Sequence, residues 1–213
     1  MMIPKLHYIS QGNTPKEHLE NIQKACTSGA ELVQLHLKNV SEKKLLKFAK
    51  EARAITAHFQ TRLIVNDAYK IAKEVKADGL HVGKTDVCPT IARNHLYTWQ
   101  MIGGTANTLQ DCKTLIDKEV DYISLSPFRL ATEENSIVEL GLNGYTAITE
   151  ALNTATPIIG FGGITTNDVA AILQMGVSGI AVSEAITNNF NNIKIFNELL
   201  GASSTEEQRY TFE

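Results

Sequence analysis

Eight short apolar runs punctuate the chain, and each is followed by a stretch with helical spacing of apolar positions. The runs are Leu6–Ser10, Leu32–Leu37, Leu63–Asn66, Gly79–Val82, Trp99–Gly104, Tyr122–Leu125, Pro157–Gly160 and Gly179–Val182. Short runs alternating with helical segments predict βα units on a parallel sheet. Eight such units in one domain predict a closed (β/α)8 TIM barrel, whose chemistry sits in the loops that follow the strands. Helix signals agree with this. Thr14-Pro15-Lys16-Glu17 supplies a hydroxyl cap, a proline at the first helical position and an acidic first turn. Leu19, Ile22, Cys26 and Ala30 form the buried stripe of that helix, which ends at Ser28-Gly29.

Ser41 is a second N-cap, with Leu45, Leu46, Phe48, Ala49 and Ala52 on the apolar face. Lys43, Lys44, Lys47 and Lys50 read as its solvated face. Further helices are expected from Asp67 to Val75 and over Asp111–Lys118, with Asn167 capping a seventh. Between helices and strands lie short turns, and Ser126 to Leu140 is the exception. It is long, polar and follows the sixth strand, where long loops tend to cover the site.

The 213 residues suffice for one buried core: a barrel over residues 1–201 and a polar tail over 202–213. A net charge of -3 gives no case for nucleic acid. No apolar run reaches the roughly 20 residues that span a bilayer, and Met1-Met2-Ile3-Pro4-Lys5 lacks a signal-peptide core. Cys26, Cys88 and Cys112 show no metal-ligand spacing and read as reduced thiols of a cytoplasmic protein.

Polar residues gather at the expected strand ends. Asn66-Asp67 closes the third strand and Asp86 follows the fourth, so the two carboxylates fall on neighbouring strands. A pair of carboxylates completed by water and phosphate oxygens suits magnesium. A helix cap at Asp67 and a solvated loop at Asp86 are the plainer alternatives. Gln34, His36 and Lys38 alternate with Val33, Leu35 and Leu37, so one set points into the barrel. The apolar set belongs under the helices, which sends the polar set to the mouth. Lys38 is a natural phosphate ligand; His36 is a hydrogen-bonding or basic group, or a satisfied inner histidine. Gly162-Gly163 follows the seventh strand, where backbone N–H groups can approach a phosphate. It also fits an ordinary tight turn.

These residues resemble thiamine phosphate synthase and its thiazole-tautomerase relatives, the TenI group. The resemblance runs from about Leu6 to Leu200. It rests on the runs Val33–Lys38, Leu63–Asp67, Ala77–Asp86, Ile102–Thr108, Asp121–Phe128 and Gly160–Ile164, in that order. It implies a barrel that joins a pyrimidine pyrophosphate to a thiazole phosphate with loss of pyrophosphate. Asp67 and Asp86 would hold Mg2+, while Lys38, Asn66 and Thr105 would hold the leaving group. Gln34 and His81 would line the pyrimidine pocket, and Gly162-Gly163 with Ser183 would take the thiazole phosphate. Small phosphorylated molecules are thus the expected partners. Neither nucleic acid nor membrane is expected, and the family leaves room for a homo-oligomer.

This chain also departs from the pattern. His36 stands where the family has arginine. Ala131-Thr132-Glu133-Glu134 stands where a threonine-x-threonine-lysine run clasps pyrophosphate, leaving Thr132 and Arg129 as the available ligands. Glu184 follows Ser183 where small residues are usual. The tautomerase histidine is absent between Tyr122 and Gly141. Three readings follow: a synthase, a divergent paralogue that binds or isomerises a thiazole phosphate, and a non-catalytic ligand-binding barrel. The acid pair favours the first, and the three glutamates favour the others.

Overall fold

All eight predicted runs are strands, and their ladder closes on itself. The computed structural model describes residues 3–130 and 138–201. The strands are β1 (Leu6–Ile9), β2 (Leu32–Leu35), β3 (Arg62–Asn66), β4 (Gly79–Val82), β5 (Met101–Ala106), β6 (Tyr122–Leu125), β7 (Ile158–Phe161) and β8 (Gly179–Val182). Each pairs in parallel with its sequence neighbour, and β1 returns to β8 through Leu6 opposite Ile180. Around them lie α1 (Pro15–Thr27), α2 (Glu42–His58), α3 (Tyr69–Glu74), α4 (Pro89–His95), α5 (Leu109–Asp117), α6 (Gly141–Ala151), α7 (Val169–Gln174), α8 (Glu184–Thr187) and α9 (Asn192–Leu199). The protein is a single-barrel (β/α)8 fold.

Strands buried on both faces read as continuous apolar runs, which is why the sequence announces them. Their outward residues, among them Val33, Leu35, Leu63, Val65, Leu80 and Ile123, pack under the helices in one large cluster. The inward residues form two smaller clusters inside the barrel. Ile9, Tyr122, Ile159 and Ala181 make one, and Leu32, Ile64 and Met101 the other. Thr14 caps α1 and Ser41 caps α2 as expected, each hydroxyl accepting a backbone N–H.

Three local expectations are corrected. β5 starts at Met101 rather than Trp99, because Trp99 turns outward and stacks on Tyr97 at 5.7 Å. Asp67 does not cap α3. Its backbone is left-handed (φ 62°), its N–H bonds the His81 carbonyl, and the helix begins two residues later. Asn167 sits inside a 3-10 turn (Thr166–Asp168), and Thr165 is the cap, exchanging hydrogen bonds with Asp168. The tail 202–213, Thr132, Glu133 and Glu134 lie outside the described residues.

Candidate active site at the barrel mouth

β2, β3 and β4 deliver one connected polar set. Gln34 points inward and is buried, and its amide donates to the Asn66 carbonyl oxygen. Asn66 Nδ2 in turn donates to Asp67 Oδ1 at 3.2 Å. Asp67 and Asp86 are in side-chain contact. Partial burial and the Asp86 carboxylate beside it push the Asp67 carboxyl up to about 7, while the Lys38 charge pulls the other way. Asp86 is positioned by the Gly83 N–H, which donates to its Oδ2 at 2.6 Å. The two carboxylates, and with them Lys38, thus come together at one place.

His36 lies just past the end of β2, on the mouth side. Burial and then the Lys38 charge lower it to about 4, so its imidazole is neutral. The backbone beneath it is tied by a chain the sequence did not announce. His36 N–H donates to Ser10 Oγ at 3.1 Å, and Ser10 pairs with His18 Nδ1 at 2.9 Å. His18 Nε2 lies 3.1 Å from the Gly12 carbonyl and so carries the proton. This chain fixes the loops after β1 and β2 around a cavity of about 550 Å3 lined by His18, His36, Lys38 and Lys44.

Deeper in the barrel, His81 of β4 joins Thr105 of β5 and Tyr122 of β6. His81 Nδ1 is 3.0 Å from the Tyr122 hydroxyl and Nε2 is 2.9 Å from Thr105 Oγ1. Burial lowers His81 to about 4, so it too is neutral. His7 packs edge-on against the Tyr122 ring at 5.2 Å.

Across the mouth, Gly162 (φ 106°) and Gly163 (φ 59°) make the turn after β7. Only glycine adopts the first of these readily, and an added Cβ at Gly163 would lie 2.9 Å from the Arg129 Cβ. Arg129 N–H bonds the Gly162 carbonyl, which staples the β6 loop to the β7 loop. Its guanidinium donates to the Gly163 carbonyl at 2.6 Å and to both Asp168 oxygens at 3.2 and 2.9 Å. Arg129 therefore sits on the Gly162–Gly163 side and is already ion-paired. That Arg129 pair holds the Asp168 carboxyl down at about 2. Ser183 donates to the Ile9 carbonyl at 2.9 Å. Gly162, Gly163, Arg129, Ser183 and Glu184 face a second cavity of about 700 Å3, and the two cavities meet at Gln11 and Ser183.

The acid pair suits a hard divalent cation. Two carboxyl groups are pressed together with the Asn66 amide beside them, and among the described residues no further His, Cys, Asp or Glu completes a three-ligand group. The remaining positions fall to water and ligand oxygens, the pattern of a cation that binds through one or two carboxylates and substrate phosphates.

Fold and site together define a (β/α)8 barrel with an acid pair in the loops after strands three and four. A family model described as thiamine monophosphate synthase matches residues 6–186, and the chain belongs to that family. It is 37% identical to a thiamine-phosphate synthase of Flavobacterium johnsoniae over 192 residues, which is 88% of this chain and 91% of that protein. To the thiamine-phosphate synthase of Flavobacterium psychrophilum it is 36% identical over 202 residues, 93% and 98% of the two chains. Among solved structures, a thiamine phosphate pyrophosphorylase from Pyrococcus furiosus superposes with a TM-score of 0.79 at 26% identity, covering 92% of this chain and 97% of that one.

Proposed function

We infer that the protein couples a hydroxymethylpyrimidine pyrophosphate to a thiazole phosphate and releases pyrophosphate. The observation that supports this reading most is the contact between Asp67 and Asp86 beside Lys38 and Asn66, in a chain of this family. In the reaction the C–O bond between the pyrimidine methylene and pyrophosphate breaks, and the electron pair leaves with pyrophosphate. The lone pair of the thiazole nitrogen forms the new C–N bond.

Asp67 and Asp86 would hold magnesium, whose charge offsets that of the leaving group when bound. Lys38 places a mobile point charge near the same oxygens. Asn66 is aimed by its bonds to Gln34 and Asp67, and Gln34 with His81 floors the pyrimidine pocket. Neutral His36 adds a hydrogen-bonding group without a charge. Thr105 donates to pyrophosphate from the inner wall. Gly162 and Gly163 present backbone N–H groups to the thiazole phosphate, with Ser183 beside them and Arg129 bracing the turn. Holding the two reactants in one mouth lowers the entropic barrier to their encounter. The free thiols and the lack of any long apolar helix among the described residues are in keeping with a cytoplasmic setting.

The test is turnover of both phosphorylated substrates with magnesium by the unaltered protein and by Asp86→Ala. Thiamine phosphate should form only with the unaltered protein, at equal circular dichroism of the two. Undiminished turnover by Asp86→Ala would overturn the assignment.

A further inference from the structure

The buried hydroxyl of Tyr122 has one hydrogen-bond partner among the described residues, His81 Nδ1 at 3.0 Å. His81 Nε2 faces Thr105 Oγ1 at 2.9 Å. A neutral imidazole has one donor and one acceptor, so only two arrangements are open. If Nδ1 carried the proton, it would donate to the phenol oxygen. The Tyr122 proton would then have no acceptor, and an unmet donor in a barrel interior is costly. If Tyr122 donates to Nδ1 instead, the two buried donors, the phenol and the imidazole N–H, are both satisfied. Nε2–H then donates to Thr105 Oγ1, so the threonine proton is left for an acceptor other than His81. Thr105 is half-buried and lines a cavity of about 200 Å3 with Gly83, Lys84 and Asp86, the acid-pair side of the mouth.

The strand next to Tyr122 is built around it. A Cβ at Gly103 would lie 2.0 Å from Tyr122 Cζ, so β5 has no side chain where the phenol ring lies. His7 closes the ring from the other side.

We propose that Tyr122 is a positioning residue. By donating to His81 it fixes the direction of the chain Tyr122–His81–Thr105, so that Thr105 serves as a hydrogen-bond donor to the leaving pyrophosphate. This rests on the coupling reading for its ligand, but its direction is a property of the protein alone. The chain explains why an inner-barrel histidine is held between two hydroxyls rather than beside a carboxylate. It also gives the site an oriented donor that carries no charge and needs no side-chain rearrangement when charge builds on the leaving group.

The direct test is nitrogen NMR of protein labelled in histidine, with the His81 signal assigned by substitution. The unaltered protein should show a hydrogen-bonded, bare Nδ1 and a protonated Nε2, and in Tyr122→Phe, which keeps the ring, the Nδ1 signal should shift to that of a nitrogen without a donor. In turnover assays Tyr122→Phe should lower kcat about tenfold, the worth of roughly one hydrogen bond, with the KM for thiazole phosphate unchanged. In a Thr105→Val background the same change should cost less than about twofold, because the donor it orients is gone. A proton on Nδ1 in the unaltered protein would overturn the proposal, as would an equal cost of Tyr122→Phe in both backgrounds. The tautomer is read without turnover. An inactive protein with Nε2 protonated would therefore refute the coupling reading, whereas an active one with Nδ1 protonated would refute this one.

Discussion

Replacing Asp86 with asparagine should have opposite effects on the protein with and without magnesium. The change keeps the shape and the carbonyl oxygen that accepts the Gly83 N–H, but removes one of two touching negative charges. Raising a carboxyl from 3.8 to about 7 corresponds to about 4 kcal/mol of unfavourable free energy at pH 8 before solvent screening. Asp67 is open to solvent on its outer side, and part of the shift comes from burial rather than from Asp86. The recoverable share is about 1 kcal/mol. For a chain of this size that raises Tm by about 2–4 °C in chelator. With magnesium the order reverses. A dissociation constant of about 1 mM and about 10 mM magnesium would stabilise the unaltered protein by about 1.4 kcal/mol, and the variant by much less. Differential scanning fluorimetry in EDTA and in magnesium reads both arms. A variant that melts lower in EDTA and keeps the full magnesium shift would refute the claim that these carboxylates form one cation site.

Gly103→Ala should destabilise the fold by about 2–3 kcal/mol, seen as a lower urea midpoint, because its Cβ would meet the Tyr122 ring at 2.0 Å. An unchanged midpoint would show that the ring moves freely. Asp168→Asn should cost about 1 kcal/mol at neutral pH after allowing for exposure. The Arg129 pair depresses the Asp168 carboxyl to about 2, so its contribution is complete above about pH 4 and fades as pH falls towards 2. Urea unfolding of both proteins down this range should show the gap closing, and a constant gap would assign the loss to something other than the ion pair. Lys38→Ala should raise the KM for the pyrimidine pyrophosphate about tenfold with little change in stability, since Lys38 is exposed and its charge reaches the acid pair. An unaltered KM would place pyrophosphate elsewhere.

What the sequence revealed follows from which physical signals are local. Strand runs buried on both faces are visible as apolar blocks, and the inward turn of Gln34 follows from period-two alternation with Val33 and Leu35. The meeting of Asp67 and Asp86 could be expected because they follow adjacent strands. Other features need contacts between distant positions. Tyr122 reads as one more apolar strand residue, and Gly103 as a weak strand position. Only the side-by-side pairing of β5 with β6 shows that one makes room for the other. His18 lies four residues before Ile22 on the buried face of α1, but its bond to Ser10 depends on how the loop after β1 folds back. Arg129 and Asp168 pair across 39 residues, so nothing near Arg129 in the chain announces that its charge is already matched. Asp67 has the residue type of a helix cap. The N–H bond to the His81 carbonyl and the left-handed backbone turn it to the acid pair instead.

The coupling itself is tested most directly by phosphorus NMR of the unaltered protein mixed with both phosphorylated substrates and magnesium. The account predicts that inorganic pyrophosphate and one new phosphate monoester appear at equal rates while both substrate signals decline, and that omitting the thiazole phosphate stops the change. Isomerisation or mere binding of the thiazole phosphate, with the pyrimidine pyrophosphate signals unaltered, would contradict it.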